Sequence, residues 1–151
     1  MLEKVLYWAA GFIEADGSLF IWTRPGYSYA RALRDRYYSP VIAAANTDPG
    51  PVHLLQRLFG GSTNLRKRSA NQLKQHPNAK DYWYWQVVGA AAIEVAQWLE
   101  PLLLRKTQQA ALIQTWPMMK SGPHPQGNDV IYERQKALYE QICNLNRRGR
   151  D

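Results

Sequence analysis

The hydrophobic and polar positions divide this chain into short alternating elements. Residues 3–16, rich in Ala, Leu and aromatics, predict a helix with Gly17 as its C′ stop. SLFIWTR (18–24) predicts a strand ended by Pro25-Gly26. The basic, aromatic stretch 27–38 reads as a long hairpin connection or strand extension, and PVIAAAN (40–46) as a second strand. Asp48 before Pro49 is an N-cap followed by proline at N1, so VHLLQRLF (52–59) predicts a helix that stops at Gly60-Gly61. Residues 62–68 alternate as a strand, 69–80 form a polar loop, and DYWYWQVV (81–88) is a strand of aromatic and β-branched residues. Helices come next over 90–100, 104–116 and 129–146, with a Pro/Gly-rich loop over 117–128 and a basic tail of Arg147, Arg148 and Arg150. Antiparallel strand pairs separated by helices predict an α+β fold. With no internal repeat or linker, the expectation is one domain spanning 1–151.

Side chains alternate between the two faces of a strand. In 18–24 one face carries Ser18, Phe20, Trp22 and Arg24, and the other Leu19, Ile21 and Thr23. In 62–68 the faces are Asn64, Arg66 and Arg68 against Thr63, Leu65 and Lys67. In 81–88 Trp83 and Trp85 oppose Tyr82 and Tyr84, and both sets are large. Parity alone does not say which pair faces outward, and the expectation adopted is Trp83 and Trp85.

Composition adds a partner to this picture. The chain is 46% hydrophobic and 21% charged, as a folded protein is, and its net charge of +7 points to a polyanion, with nucleic acid ahead of a membrane surface. The longest apolar stretches are far short of a membrane span, and no basic start leading into an apolar run suggests a signal peptide. One cysteine, Cys143, excludes an intrachain disulfide and a cysteine zinc cluster, and fits a reducing, intracellular compartment. His53, His76 and His124 have no metal-ligand spacing.

The candidate chemistry lies at the end of the first helix. Glu14 and Asp16 sit where the helix dipole is negative, which disfavours a carboxylate by a few tenths up to about 1 kcal/mol. Something positive should compensate. Two residues apart on a helix, the acids point in different directions and cannot form a paired acid–base dyad. Asp16, beside main-chain carbonyls left over at the helix end, would make a hard-oxygen site suited to Mg²⁺; alternatively it is an ordinary exposed acid. Gly11 and Ala15, four apart, permit close helix–helix approach, either in a symmetric dimer or within one chain.

The stretch Ala9-Ala10-Gly11-Phe12-Ile13-Glu14-Ala15-Asp16-Gly17 resembles the motif that names the LAGLIDADG homing endonucleases, and the next four residues, Ser18-Leu19-Phe20-Ile21, are also typical of that family. Further segments resemble later parts of the family: NTD (46–48) with its amphipathic helix and Gly60-Gly61, LEPLLLRKTQQA (99–110), and YEQICNLN (139–146). Glu14 departs from the pattern, which more often has Asp. The resemblance implies an αββαββα fold with a four-stranded saddle over double-stranded DNA. One motif implies a homodimer through the motif helix, with Trp8, Gly11, Phe12 and Ala15 at the interface, and a roughly palindromic site. It implies Asp16 and the main-chain carbonyl of Ala15 as metal ligands, with two or three Mg²⁺ per dimer serving phosphodiester hydrolysis and a staggered double-strand break. Lys106 would stabilise charge on the scissile phosphate or orient water, and Asn46 or Thr47 would position that water.

For DNA the expected contacts are Phe20, Trp22, Arg24, Tyr29, Arg31, Arg34, Arg36, Arg66, Arg68, Trp83, Trp85, Arg147 and Arg148. Arg66 and Arg68 are candidates for guanine readout in the major groove; the alternative for any one arginine is a phosphate contact without sequence information. The competing reading is an RNA-binding maturase that assists intron splicing, with intron RNA as its partner. Such a chain would work in a prokaryotic cytoplasm or an organelle.

Overall fold

Helix α1 (Leu2–Asp16) passes directly into strand β1 (Gly17–Pro25). The computed structural model describes residues 2–25, 36–119 and 128–148; the sites proposed at Tyr29, Arg31 and Arg34 lie outside the described residues. Helix α1 stops before Gly17 as expected, and the glycine is needed there for close approach rather than for a left-handed conformation. A Cβ there would lie 2.6 Å from the Ile13 carbonyl oxygen, and among the described residues the positive-φ glycines are Gly60, Gly61 and Gly89.

Strand β2 (Arg36–Asn46) starts four residues before the expected Pro40, so part of the basic, aromatic connection is strand. Helix α2 (Pro49–Phe59) is capped as expected: Asp48 accepts from the Gly50 N–H at 2.9 Å, with proline at N1. Strand β3 (Ser62–Arg66) leads to helix α3 (Ala70–Gln75), inside the stretch expected to be loop. Its signal is a capping box: Ser69 Oγ accepts from the Gln72 N–H, and Gln72 Oε1 accepts from the Ser69 N–H. Strand β4 (Tyr82–Val88) and helix α4 (Ala90–Leu99) come next. A short 3-10 turn (Glu100–Leu102) delays helix α5 to Thr107–Gln114, three residues later than expected. Helix α6 (Asn128–Arg148) completes the α+β architecture.

The sheet order is β1-β2-β4-β3, with every neighbouring pair antiparallel. Pro40 sits in a central strand, where proline is usually excluded. It is tolerated because β4 has just ended: Gly89 N–H donates to the Pro40 carbonyl, while the Gly89 carbonyl, which would have faced the missing N–H, accepts from Ile93.

Cross-strand partners share a face, so the register assigns every strand residue. Leu19, Ile21, Ile42, Ala44, Trp85 and Val87 form the core with Ala9, Ala10 and Ile13 of α1, Val52 and Leu55 of α2, and α4. The opposite face carries Phe20, Trp22, Arg24, Tyr37, Ser39, Asn64, Arg66, Tyr82, Tyr84 and Gln86. Trp22 is 49% exposed there. The expected outward face of β1 is therefore outward.

The expected outward face of β4 is not. Trp85 is fully buried, tilted against Phe59 and donating its Nε1–H to the Gly60 carbonyl at 2.8 Å. Trp83 is half-buried against the same core and edge-on to His53. Large indoles bury more apolar area, while tyrosine hydroxyls favour water, so the tyrosines turn out. Arg36 likewise shares the helix-side parity of Tyr38, at the exposed end of β2. It does not join the open face.

Candidate functional site

Two groups of polar residues stand out: the C-terminal tip of α1 and the open face of the sheet. At the tip the positive charge that the dipole argument requires is Lys106. Its Nζ donates to the carbonyls of Ile13 at 2.7 Å, Glu14 at 2.6 Å and Gly17 at 2.8 Å. Three ammonium N–H groups meet two carbonyls of the last helical turn and the first carbonyl of β1, which satisfies leftover acceptors and offsets the dipole. Burial lowers the Lys106 pKa from its usual value, and Arg105 adds to this, while Glu14 and Asp16 oppose it.

Glu14 holds the segment that delivers this lysine. Its carboxylate accepts from the main-chain N–H groups of Leu104 at 3.1 Å and Arg105 at 2.9 Å. These charge-assisted bonds tie the turn before α5 to α1. Sequence reasoning assigned Glu14 no site role, because its partners lie about ninety positions away.

Asp16 is exposed, with Asn46 beside it: Asn46 Nδ2 donates to Asp16 Oδ2 at 3.3 Å. The Asp48 N–H donates to Asn46 Oδ1 at 2.9 Å, which fixes the amide so that its NH₂ faces Asp16. Of the two polar residues considered for this place, Asn46 is the one at Asp16; exposed Thr47 has no such contact. The Ala15 carbonyl is not among the three that Lys106 takes. Carboxylate and carbonyl oxygens are the donor chemistry of a hard divalent cation. Among the described residues no three His, Cys, Asp or Glu side chains could enclose a metal ion by themselves.

The outer side of α1 is lined by Lys4, Tyr7, Gly11 and Ala15, all exposed, Tyr7 by 57%; a Cβ at Gly11 would meet nothing within 4 Å. Trp8 and Phe12 stack on each other at 5.6 Å and pack partly on the chain's own core.

On the open face, arginines lie over tyrosines. The Arg24 guanidinium is 5.0 Å from the Tyr37 ring centre, Arg68 is 4.4 Å from Tyr82, and Arg66 is 3.7 Å from Tyr84. Arg66 Nε also donates to Asn64 Oδ1 at 3.4 Å, and Arg68 Nε to the Lys80 carbonyl at 3.1 Å. Burial raises the Tyr84 pKa, the nearby Arg66 charge acting against it. A groove of about 480 Å³ on this face is lined by Phe20, Trp22, Val41, Arg66, Tyr84, Gln86 and Val88. Tyr37, Tyr82, Tyr84 and Gln86 were missed from sequence; in β4, strand register was the deciding information.

Arg147 is exposed near the end of α6, next to Asn146, whose Nδ2 donates to the Leu19 carbonyl of edge strand β1. Arg148 closes that helix, and its side chain lies outside the described residues. Among the described residues no helix is long and apolar enough to cross a membrane.

No protein-family model and no curated protein matches this sequence. Solved structures share its fold. The chain is similar to the homing endonuclease I-CvuI in complex with a DNA target, with a TM-score of 0.68, 18% identity, and 95% of this chain and 83% of that one covered. It is similar to the archaeal intron-encoded homing endonuclease I-Vdi141I complexed with DNA, with a TM-score of 0.68, 12% identity, and coverage of 96% and 86%. The homing endonuclease I-TnaI gives a TM-score of 0.54 at 16% identity, covering 91% and 97%. The chain has the LAGLIDADG homing endonuclease fold.

Proposed function

We propose that this chain is a homing endonuclease of the LAGLIDADG type, a homodimer that makes a staggered double-strand break in a long, pseudo-palindromic DNA site. The observation that carries the reading is Asp16. It is an exposed carboxylate at the tip of α1, where β1 begins, and Asn46 at the end of β2 is hydrogen-bonded to it. Nuclease chemistry therefore sits at one end of the sheet whose open face carries Arg24, Arg66 and Arg68.

The exposed line of Tyr7, Gly11 and Ala15 supports pairing of two copies through α1, which would bring two Asp16 side chains to one axis. Asp16 and the Ala15 carbonyl would hold Mg²⁺, two or three ions per dimer. Such ions, when bound, stabilise charge developing on a phosphate under attack by water. Around them the chain's own residues do three things. Asn46 orients the Asp16 carboxylate, Lys106 locks the helix end and places positive charge beside the site, and Glu14 holds the turn that brings Lys106 in.

The test is a cleavage selection on a randomised duplex library with Mg²⁺, beside an Asp16→Asn control and an EDTA control. Wild type is expected to enrich a cut site of roughly palindromic sequence. If it cuts nothing while binding intron RNA tightly, the endonuclease reading is wrong. A monomer on the selected site in sedimentation would sink the dimer.

A further inference from the structure

We infer that Arg66 is a guanine-reading residue whose specificity is set before DNA arrives by two positioning residues, Tyr84 and Asn64. The inference rests on the proposed DNA-binding role of the sheet and deepens it. A solvent-exposed arginine ordinarily samples many rotamers and meets phosphates as readily as bases. Arg66 is held from two sides. Its guanidinium carbon lies 3.7 Å from the Tyr84 ring centre, a shorter stack than Arg68 on Tyr82 or Arg24 on Tyr37 among the described residues. Its Nε–H is taken by Asn64 Oδ1, the side chain two residues earlier on the same face of β3. Among the described residues no carboxylate pairs with it.

What remains is the outer edge of the guanidinium, the pair of Nη groups that can donate together to guanine O6 and N7. Fixing the plane and one nitrogen removes rotamer entropy that binding would otherwise cost, and aims that edge in one direction. Register puts Tyr84 under the arginine: Asn64 pairs with Tyr84 and Arg66 with Tyr82, so the side chain leans one pair back along the ladder. The groove beside it is lined by Phe20, Trp22 and Val88, which would exclude water from the contact.

Arg68 repeats the arrangement, stacked on Tyr82 with Nε on the Lys80 carbonyl and its own N–H on Asp81 Oδ1. The tyrosines beneath them stand two residues apart on strand β4, an advance of about 6.6 Å, and DNA rises about 3.4 Å per base pair. The two arginines should therefore read guanines within two base pairs of each other in each half-site.

The experiment is binding-site selection from a randomised duplex library, comparing wild type with Arg66→Ala, Tyr84→Leu, Tyr84→Phe and Asn64→Ala, each checked for folding by circular dichroism. Wild type should enrich guanine at a position that Arg66→Ala relaxes about tenfold or more, with the other positions unchanged. Tyr84→Leu and Asn64→Ala should relax that same position by about two- to fivefold, while Tyr84→Phe, which keeps the ring, preserves it. The inference is overturned if Arg66→Ala lowers affinity evenly for all sequences, as a phosphate contact would, or if Tyr84→Leu leaves the guanine preference intact. If wild type enriches no sequence at all, the DNA-binding reading itself fails and takes this inference with it.

Discussion

The α1 tip and the open sheet face are both polar, and they are polar in opposite ways. At the tip the chain's charged groups are spent on its own backbone: Lys106 on three carbonyls and Glu14 on two N–H groups. On the sheet face the arginines rest on tyrosine rings. Such contacts fix direction while leaving most guanidinium donors open. One region holds a geometry against perturbation, and the other presents donors to be matched by a partner. Asp16 belongs to the first region by position and to the second by its exposed carboxylate.

The sharpest break of this comparison is Asp16→Asn. The substitution keeps shape and the neighbour Asn46 but removes the negative charge a cation would need. Cleavage should fall about a thousandfold or more, roughly 4 kcal/mol in barrier, with affinity for the same DNA little changed. Gel-based cleavage and a binding isotherm on one duplex separate the two effects. Comparable losses in both would mean that the tip contributes binding and not chemistry.

Next is Lys106→Met, which retains the aliphatic stem and strands three carbonyls. Urea unfolding should show a loss of about 2 kcal/mol, because acceptors at a partly buried helix end lose their donors. An unchanged midpoint would mean that water serves the helix end equally well. Lys106 would then owe its place to the reaction alone, and the tip would no longer differ in kind from the face.

Trp85→Phe tests the inside of the sheet against its outside. The indole N–H to the Gly60 carbonyl is lost, together with part of a buried ring, so the expected cost is about 1.5–2 kcal/mol. Tyr84→Phe, one residue away and outward, should change stability by less than about 0.5 kcal/mol. Similar costs at both positions would contradict the assigned faces.

Much of the fold and part of the site are legible in the sequence, for definite reasons. The LAGLIDADG-like stretch and the Asp48-Pro49 cap are local signals, and each falls where expected. The β1 faces are readable because polar Ser18 and Arg24 bracket one side, while the other is led by Leu19 and Ile21. In β4 both sides are aromatic, and only the neighbours decide: Trp85 fits between small Ala44 and Thr63, under Phe59 of α2. Helix α3 is hidden by its polar sequence, although Ser69 and Gln72 have the spacing to announce it. The dipole argument at Glu14 and Asp16 demands a cation but cannot find Lys106, which is brought to Ile13 by the turn before α5 that Glu14 holds. The need is local and its answer is tertiary.

The smallest predicted effect bears on the face alone. Arg24 sits over Tyr37 at 5.0 Å, farther than Arg66 from Tyr84 or Arg68 from Tyr82, near the end of β1 where Pro25 pairs with Arg36. With less to hold its direction than Arg66 has, it suits a phosphate better than a base edge. Arg24→Ala should weaken binding by about 0.5–1 kcal/mol for every sequence alike, and reduce the slope of log affinity against log salt by about 0.9, the loss of one phosphate contact. Titrations at several salt concentrations on the selected duplex and on an unrelated one measure both. If the loss appears only on the selected duplex, Arg24 reads a base. The distance to the tyrosine would then not be what separates readers from grips on this face, and Tyr84 would lose its special standing beside Arg66.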